Sequence, residues 1–276
     1  MEIIRARHSG FCYGVKRAVK MVEEKAKEGE IFTWGPLIHN PPMIEKLKEK
    51  GIIPLNNKEN AQGKRMVIPA HGIPPEELKS LRSKAKEIID ATCPFVKRVH
   101  QVAKEIQREG YFLIILGEKE HPEIKGLTAL LQPPFLIIKE EEELPSSLPP
   151  RVGVVCQTTM DYGRFFSLTS LLLPRIKELK IVNTICQATL LRQKALKEIL
   201  PFVDLVIVVG GHNSANTRRL WEIAQSSGKP SYLVERKEEI VPFWFKGVKK
   251  IGITAGASTP EWLIEEVQTH ILKISP

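Results

Sequence analysis

Three stretches of this 276-residue chain open with a cysteine and continue in a helical pattern: Cys12-YGVKRAVKMVEE, Cys93-PFVKRVHQVAKE and Cys186-QATLLRQKALKE. The first two share Val-Lys-Arg at the same offset, Val15-Lys16-Arg17 and Val96-Lys97-Arg98, whereas the third keeps only a β-branched residue, Thr189. Each cysteine follows a run of small or polar residues: His8-Ser9-Gly10, Asp90-Ala91-Thr92 and Asn183-Thr184. Such a recurrence calls for a fold of three related parts. A cysteine at a helix start faces unpaired N–H groups and the positive end of the helix dipole, which favours thiolate. One thiolate per repeat predicts a pseudo-threefold arrangement with the sulfurs meeting on its axis. Three thiolates at one point imply a metal centre with a ligand position left open.

Between the cysteine helices the chain reads as strand–loop–helix units, two per third. Strands are expected over Ile31–Trp34, Met66–Ala70, Tyr111–Leu116, Arg151–Cys156, Leu205–Val209 and Lys250–Thr254. They are short Ile- and Val-rich runs, as befits strands covered by helices on both faces. Strands alternating with helices predict parallel sheets. The expected fold class is therefore α/β, with three pseudo-symmetric domains of mainly parallel sheet around a central site. Boundaries fall near 92 and 185, giving domains 1–92, 93–185 and 186–276, each with one of the three cysteines. In parallel α/β sheets ligands sit beyond the carboxyl ends of the strands, where the polar loop residues of this chain fall. The acidic, proline-ended segment 139–150 reads as a solvated connection.

Composition narrows the function. No run approaches the roughly 18 apolar residues of a membrane span, and the N-terminus turns polar too early for a signal peptide. The expectation is a cytoplasmic protein with no membrane partner. Four cysteines spaced 81, 63 and 30 residues apart match neither a secreted disulfide framework nor a paired CxxC zinc site. The formal charge of +9 favours an anionic partner. Most lysines alternate with glutamates on helix faces, and no aromatic-interleaved basic strip stands out, so nucleic acid is not expected.

Cys12, Cys93 and Cys186 are the candidate metal ligands. Soft thiolates select an iron–sulfur cluster, zinc or copper(I). A 4Fe-4S cluster normally takes four cysteines, so three would leave one iron free for substrate. Zinc completed by His39, His71 or His121 is the alternative. Cys156 lies inside a strand run and reads as a buried structural thiol. His39, His71 and His121 stand in loops directly after strands, placed to donate to an anionic oxygen or to shuttle protons. His212 lies in a Gly-rich loop and His8 precedes the first cysteine helix, whereas His100 and His270 sit within helices and read as ordinary. Glu123, in His-Pro-Glu, is a surface glutamate or, if desolvated, a carboxyl that holds a proton for delivery. Thr158, Thr159, Ser214, Asn216 and Ser258 lie at strand-to-helix loops. They read as helix caps, as an anion site at helix N-termini, or as both. No loop matches Walker A or GxGxxG, so a nucleotide is not indicated.

The motifs HSGFCYGV, GPLIHN, AHG, DATCPFV, GEKEHPE, QTT, NTIC, NSAN and TAGAS resemble the 4-hydroxy-3-methylbut-2-enyl diphosphate reductase family along nearly the full chain. The resemblance implies a 4Fe-4S cluster held by Cys12, Cys93 and Cys186, with one open iron facing the substrate. It implies substrate contacts at His39, His71, His121, Thr158, Ser214, Ala215, Asn216 and Ser258, and a proton-relay role for Glu123. The implied reaction is two-electron, two-proton removal of a hydroxyl as water, giving isopentenyl and dimethylallyl diphosphates. Electrons would come from an external donor such as ferredoxin or flavodoxin. One departure is visible: family members carry NSSN where this chain has Ala215. The side-chain hydroxyl is lost but the backbone N–H remains. Two other readings stand beside this one, a 4Fe-4S Lewis-acid dehydratase and a zinc-structured anion-binding module without catalysis.

Overall fold

A computed structural model describes residues 1–274. The first part of the chain forms β1 (Glu2–Arg5), α1 (Tyr13–Ala26), β2 (Ile31–Trp34), α2 (Pro41–Glu49), β3 (Ile52–Leu55), β4 (Arg65–Ile68), α3 (Pro75–Arg82) and β5 (Glu87–Asp90). The middle forms α4 (Pro94–Arg108), β6 (Phe112–Leu116), α5 (Pro122–Thr128), β7 (Phe135–Ile138), β8 (Arg151–Cys156), α6 (Tyr162–Leu172) and β9 (Glu178–Ile181). The last part forms α7 (Gln187–Ile199), β10 (Leu205–Val209), α8 (Ala215–Ser226), β11 (Ser231–Val234), β12 (Lys250–Ala255) and α9 (Glu261–Ile274).

The strands build three four-stranded sheets, ordered β3-β2-β4-β5, β7-β6-β8-β9 and β11-β10-β12-β1. Each order is the same walk: start inside, step out, cross back over the start, step out again. The first strand of the chain supplies the fourth place of the last sheet, where it runs parallel to β12 with Ile3 opposite Ile251. The central pairs β2–β4, β6–β8 and β10–β12 are also parallel. Each pair is a topological switch point, where consecutive crossovers leave in opposite directions and open a crevice at the carboxyl ends.

Among the described residues the six strands expected from sequence are all present, and six more join them. The additional strands β1, β3, β5, β7, β9 and β11 are four residues each. Runs such as Glu87–Asp90 (EIID) and Glu178–Ile181 (ELKI) end on charges or carry them within and show little apolar signal. They stand at the flanks of the sheets, where only one neighbour pairs with them and burial is partial.

By compactness the chain divides into two units. One comprises Met1–Glu23, Ile38–Ile53 and the stretch from Gln187 onward; the other comprises Glu24–Leu37 and Pro54–Cys186. In the first unit, β10 is buried along its whole length. Leu205, Ile207 and Val209 pack with Leu263, Ile264, Val267 and Ile271 of α9. Val206 and Val208 point the other way, onto Leu196, Leu220 and Ala224 of α7 and α8. In the second unit, Leu113, Ile115 and Val155 pack with Val99, Ala103 and Ile106 of α4. Among the described residues, no helix is long and apolar enough to cross a membrane.

One contact sets how closely α4 approaches its sheet. A Cβ placed on Gly153 of β8 would lie 2.1 Å from the Ile106 branch methyl. Gly153→Ala is expected to lower stability by about 1–3 kcal/mol through overpacking. In an Ile106→Leu background, which removes that methyl, the added cost is expected to shrink. Equal costs in both backgrounds, measured by urea unfolding as a double-mutant cycle, would show that the close approach is not what excludes a side chain.

Candidate active site

Each of the three cysteines follows the fourth strand of one sheet: Cys12 after β1, Cys93 after β5 and Cys186 after β9. Each donates its backbone N–H to the loop beyond the third strand of that sheet. The acceptors are the carbonyls of Ala257 (3.0 Å), Ala70 (2.9 Å) and Thr158 (3.0 Å). All three are half-buried and none is in a disulfide. The chain turns into two of them by the same device. Asp90 Oδ1 accepts the Thr92 N–H at 2.9 Å, and Asn183 Oδ1 accepts the Ile185 N–H at 3.0 Å. Each is an Asx turn three residues before its cysteine. The Cys12 sulfur itself caps α1, accepting the Val15 N–H at 3.4 Å. Cys156 is different: it is fully buried, and burial pushes its thiol pKa up to about 11.

Glu123 is not a surface residue. It starts α5 with 3% of its surface exposed. Its carboxylate accepts two hydrogen bonds from Thr158, from the N–H at 2.8 Å and from the hydroxyl at 2.6 Å. Burial raises its pKa, and the Thr158 bonds only partly oppose this. His121 caps the same helix, its Nδ1 accepting the Glu123 N–H at 3.2 Å. That bond leaves the ring proton of the neutral form on Nε2. These loops follow β6 and β8, the switch-point pair of their sheet. His71, after β4, holds its Nδ1 2.8 Å from the Gly72 carbonyl.

In the first unit the loops after β10 and β12 lie together. Ser214 caps α8, its hydroxyl accepting the Thr217 N–H at 3.4 Å, and Ala215 is the buried first residue of that helix. Asn216 Oδ1 accepts the Ala257 N–H at 2.9 Å, and its amide donates to Thr189 at 3.4 Å. The Ser258 hydroxyl donates to the His39 carbonyl at 3.0 Å. His39 has a lowered pKa, through burial first and the Arg218 charge second, so its ring is neutral near pH 7. His100, within α4, is lowered to about 4 by burial and Lys104.

The sequence reading missed the polar stripe on the buried face of α7. Thr189, Arg192 and Gln193 are all at least nine-tenths buried. The signal was present: at helical spacing from Cys186, polar residues occupy positions where an amphipathic helix carries apolar ones. It also missed Asn40, whose buried Oδ1 caps α2, and Gln157, which accepts from the Glu118 N–H and donates to Thr159.

The LytB protein family profile matches residues 3–272. The chain belongs to the LytB protein family. It is similar to the 4-hydroxy-3-methylbut-2-enyl diphosphate reductase of Aquifex aeolicus, with 45% identity across 99% of this chain and 97% of the relative. The enzyme of that name from Nitratiruptor is 43% identical across 99% of each chain. A solved (E)-4-hydroxy-3-methyl-but-2-enyl diphosphate reductase, the terminal enzyme of the non-mevalonate pathway, superposes with TM-score 0.71 at 45% identity, covering 99% of both chains. The Plasmodium falciparum enzyme superposes with TM-score 0.90 at 30% identity, covering 97% of this chain and 87% of that one.

Among the described residues no three His, Cys, Asp or Glu side chains form a ready-made metal cage. What this LytB chain does offer a soft metal group is three half-buried cysteines outside any disulfide, each at a helix start with an anchored backbone. These donors suit an iron–sulfur cluster.

The Glu123 pKa shift has a measurable sign. A carboxyl whose folded pKa is raised stabilises the fold below its ordinary range. That contribution is lost as pH rises through the folded value. Glu123→Gln should therefore raise Tm at about pH 8 and bring no gain at about pH 4, read by circular dichroism on cluster-free protein. An equal gain at both pH values would mean that burial of the charge is not the cause.

Proposed function

We propose that the chain reduces 4-hydroxy-3-methylbut-2-enyl diphosphate. Two electrons and two protons break the allylic C–O bond, release the hydroxyl as water and leave isopentenyl or dimethylallyl diphosphate. The observation that carries this reading is Glu123, a buried carboxyl of raised pKa at a sheet switch point, in a chain of the LytB family. Cys12, Cys93 and Cys186 would together hold a 4Fe-4S cluster. When bound, that cluster supplies the electrons and a Lewis-acidic iron at the position three cysteines leave open. The electrons themselves would arrive from a ferredoxin or flavodoxin.

The chain's own residues hold the substrate and move protons. The N-terminus of α8, with Ser214, the Ala215 N–H and Asn216, meets a diphosphate with dipole and donors. Ser258 adds its hydroxyl by turning it from the His39 carbonyl, exchanging a neutral acceptor for a charged one. His39, neutral and buried, donates from its ring, His121 donates from Nε2, and His71, whose Nδ1 proton serves the Gly72 carbonyl, donates from Nε2 only as an imidazolium. Protonated Glu123 supplies a proton at the departing oxygen. The Thr158 hydroxyl, 2.6 Å from Glu123 Oε2, can receive that proton and hand on its own.

Two experiments test this. Cys12→Ser, Cys93→Ser and Cys186→Ser should each remove most iron and acid-labile sulfide from anaerobically purified protein, while Cys156→Ser keeps both. Loss at Cys156→Ser as complete as at the other three would reject the three-cysteine assignment. Glu123→Gln should retain cluster and substrate affinity yet lose a factor of about 10² to 10⁴ in turnover, the worth of a positioned acid. Turnover at the parent rate would leave His121 or a substrate phosphate as the proton source.

A further inference from the structure

The three cysteine loops are not held alike. Cys93 and Cys186 each follow an Asx turn, built by Asp90 and Asn183 three residues upstream. At the matching offset before Cys12 stands Ser9, and its hydroxyl accepts instead from Arg5 Nε at 2.7 Å. The backbone of this loop is also unusual. His8 has φ 58° and Gly10 has φ 92°, both in the left-handed region. Such a path needs support from outside the loop.

The support comes from α7. Arg192 is 4% exposed, and its guanidinium donates to the Gly10 carbonyl through Nη2 and to the Ala188 carbonyl through Nη1 at 2.7 Å. Gly10 lies two residues before Cys12, and Ala188 lies in the first turn of α7. A planar fork reaching two carbonyls at once fixes their separation in a way a lysine ammonium does not. The Cys12 N–H bond to Ala257 then completes the anchoring of this loop.

We propose that Arg192 is a positioning residue for Cys12, replacing from a distant helix the local Asx turn that sets the other two cysteines. Its role toward a bound cluster rests on Cys12 being a ligand; its hold on the loop does not. Trp221, Trp244 and Trp262 lie in the unit that holds Arg192 and report on its fold, while Cys156, whose thiol is inaccessible, reports on the other unit.

The test is iodoacetamide alkylation of cluster-free protein, with the rate at each cysteine resolved by mass spectrometry. Arg192→Lys and Arg192→Met should each raise the Cys12 rate by about fivefold or more, the scale set by losing one net hydrogen bond. Cys93 should keep its parent rate and Cys156 should stay unreacted. Asp90→Ala should give the converse pattern, a faster Cys93 beside an unchanged Cys12. An unchanged Cys12 rate in both Arg192 variants overturns the proposal. So does a loss of native tryptophan emission in both, or a rise at Cys156 along with Cys12, either of which would make Arg192 a support of the fold as a whole. Iron analysis of the unmodified protein tests the ligand reading separately, so that its failure is not mistaken for a failure of the Arg192 role.

Discussion

One backbone hydrogen bond, made three times, organises the cysteine loops. In each sheet the cysteine after the fourth strand donates its N–H to the loop beyond the third. Without that bond the helix start would carry one more unsatisfied donor, and the thiol would swing with a free loop. With it, the sulfur's backbone is fixed to the end of the sheet where the switch-point crevice opens. The threefold recurrence of the bond follows from the threefold recurrence of the strand order. It requires β1 to travel to the last sheet, since otherwise Cys12 would have no third-strand loop to meet.

Polar groups near this end of the sheets are held by one another. Asn216 ties the loop after β12 to Thr189, Ser258 bonds the His39 carbonyl, and Thr158 gives both its donors to Glu123. Buried polar groups must find such partners or cost stability. Under the proposed function the Ser258 hydroxyl, which now serves a neutral carbonyl, would bind the charged oxygens of a diphosphate more strongly. Capping and anion binding would then be one arrangement in two states. Ser214 illustrates it, since the N-terminus it caps is also the positive end of α8.

Glu123 shows how a fold decides an environment that sequence leaves open. In the string GEKEHPE it has two acidic neighbours, Glu118 and Glu120, both more exposed than itself. Only the seating of α5 against the QTT loop removes it from water, and desolvation then raises its pKa. His121 is set by the same turn, because the N–H it caps belongs to Glu123.

The repeat, the α/β class, the central strands and the loops that carry His39, His71, His121, Thr158, Ser214, Asn216 and Ser258 could all be read from the order of residues alone. These were legible because parallel strands covered on both faces are continuous apolar runs, and because cysteines at helix starts recur with a shared pattern. The flanking strands were not legible: four residues carry too little periodicity, and their pairing is a long-range choice. Nor was the transfer of β1 to the last sheet, which depends on pairing with β12 some 250 positions away. Arg192 was hidden for a related reason. Its charge reads as solvent-facing until tertiary structure supplies the carbonyls that make its burial tolerable.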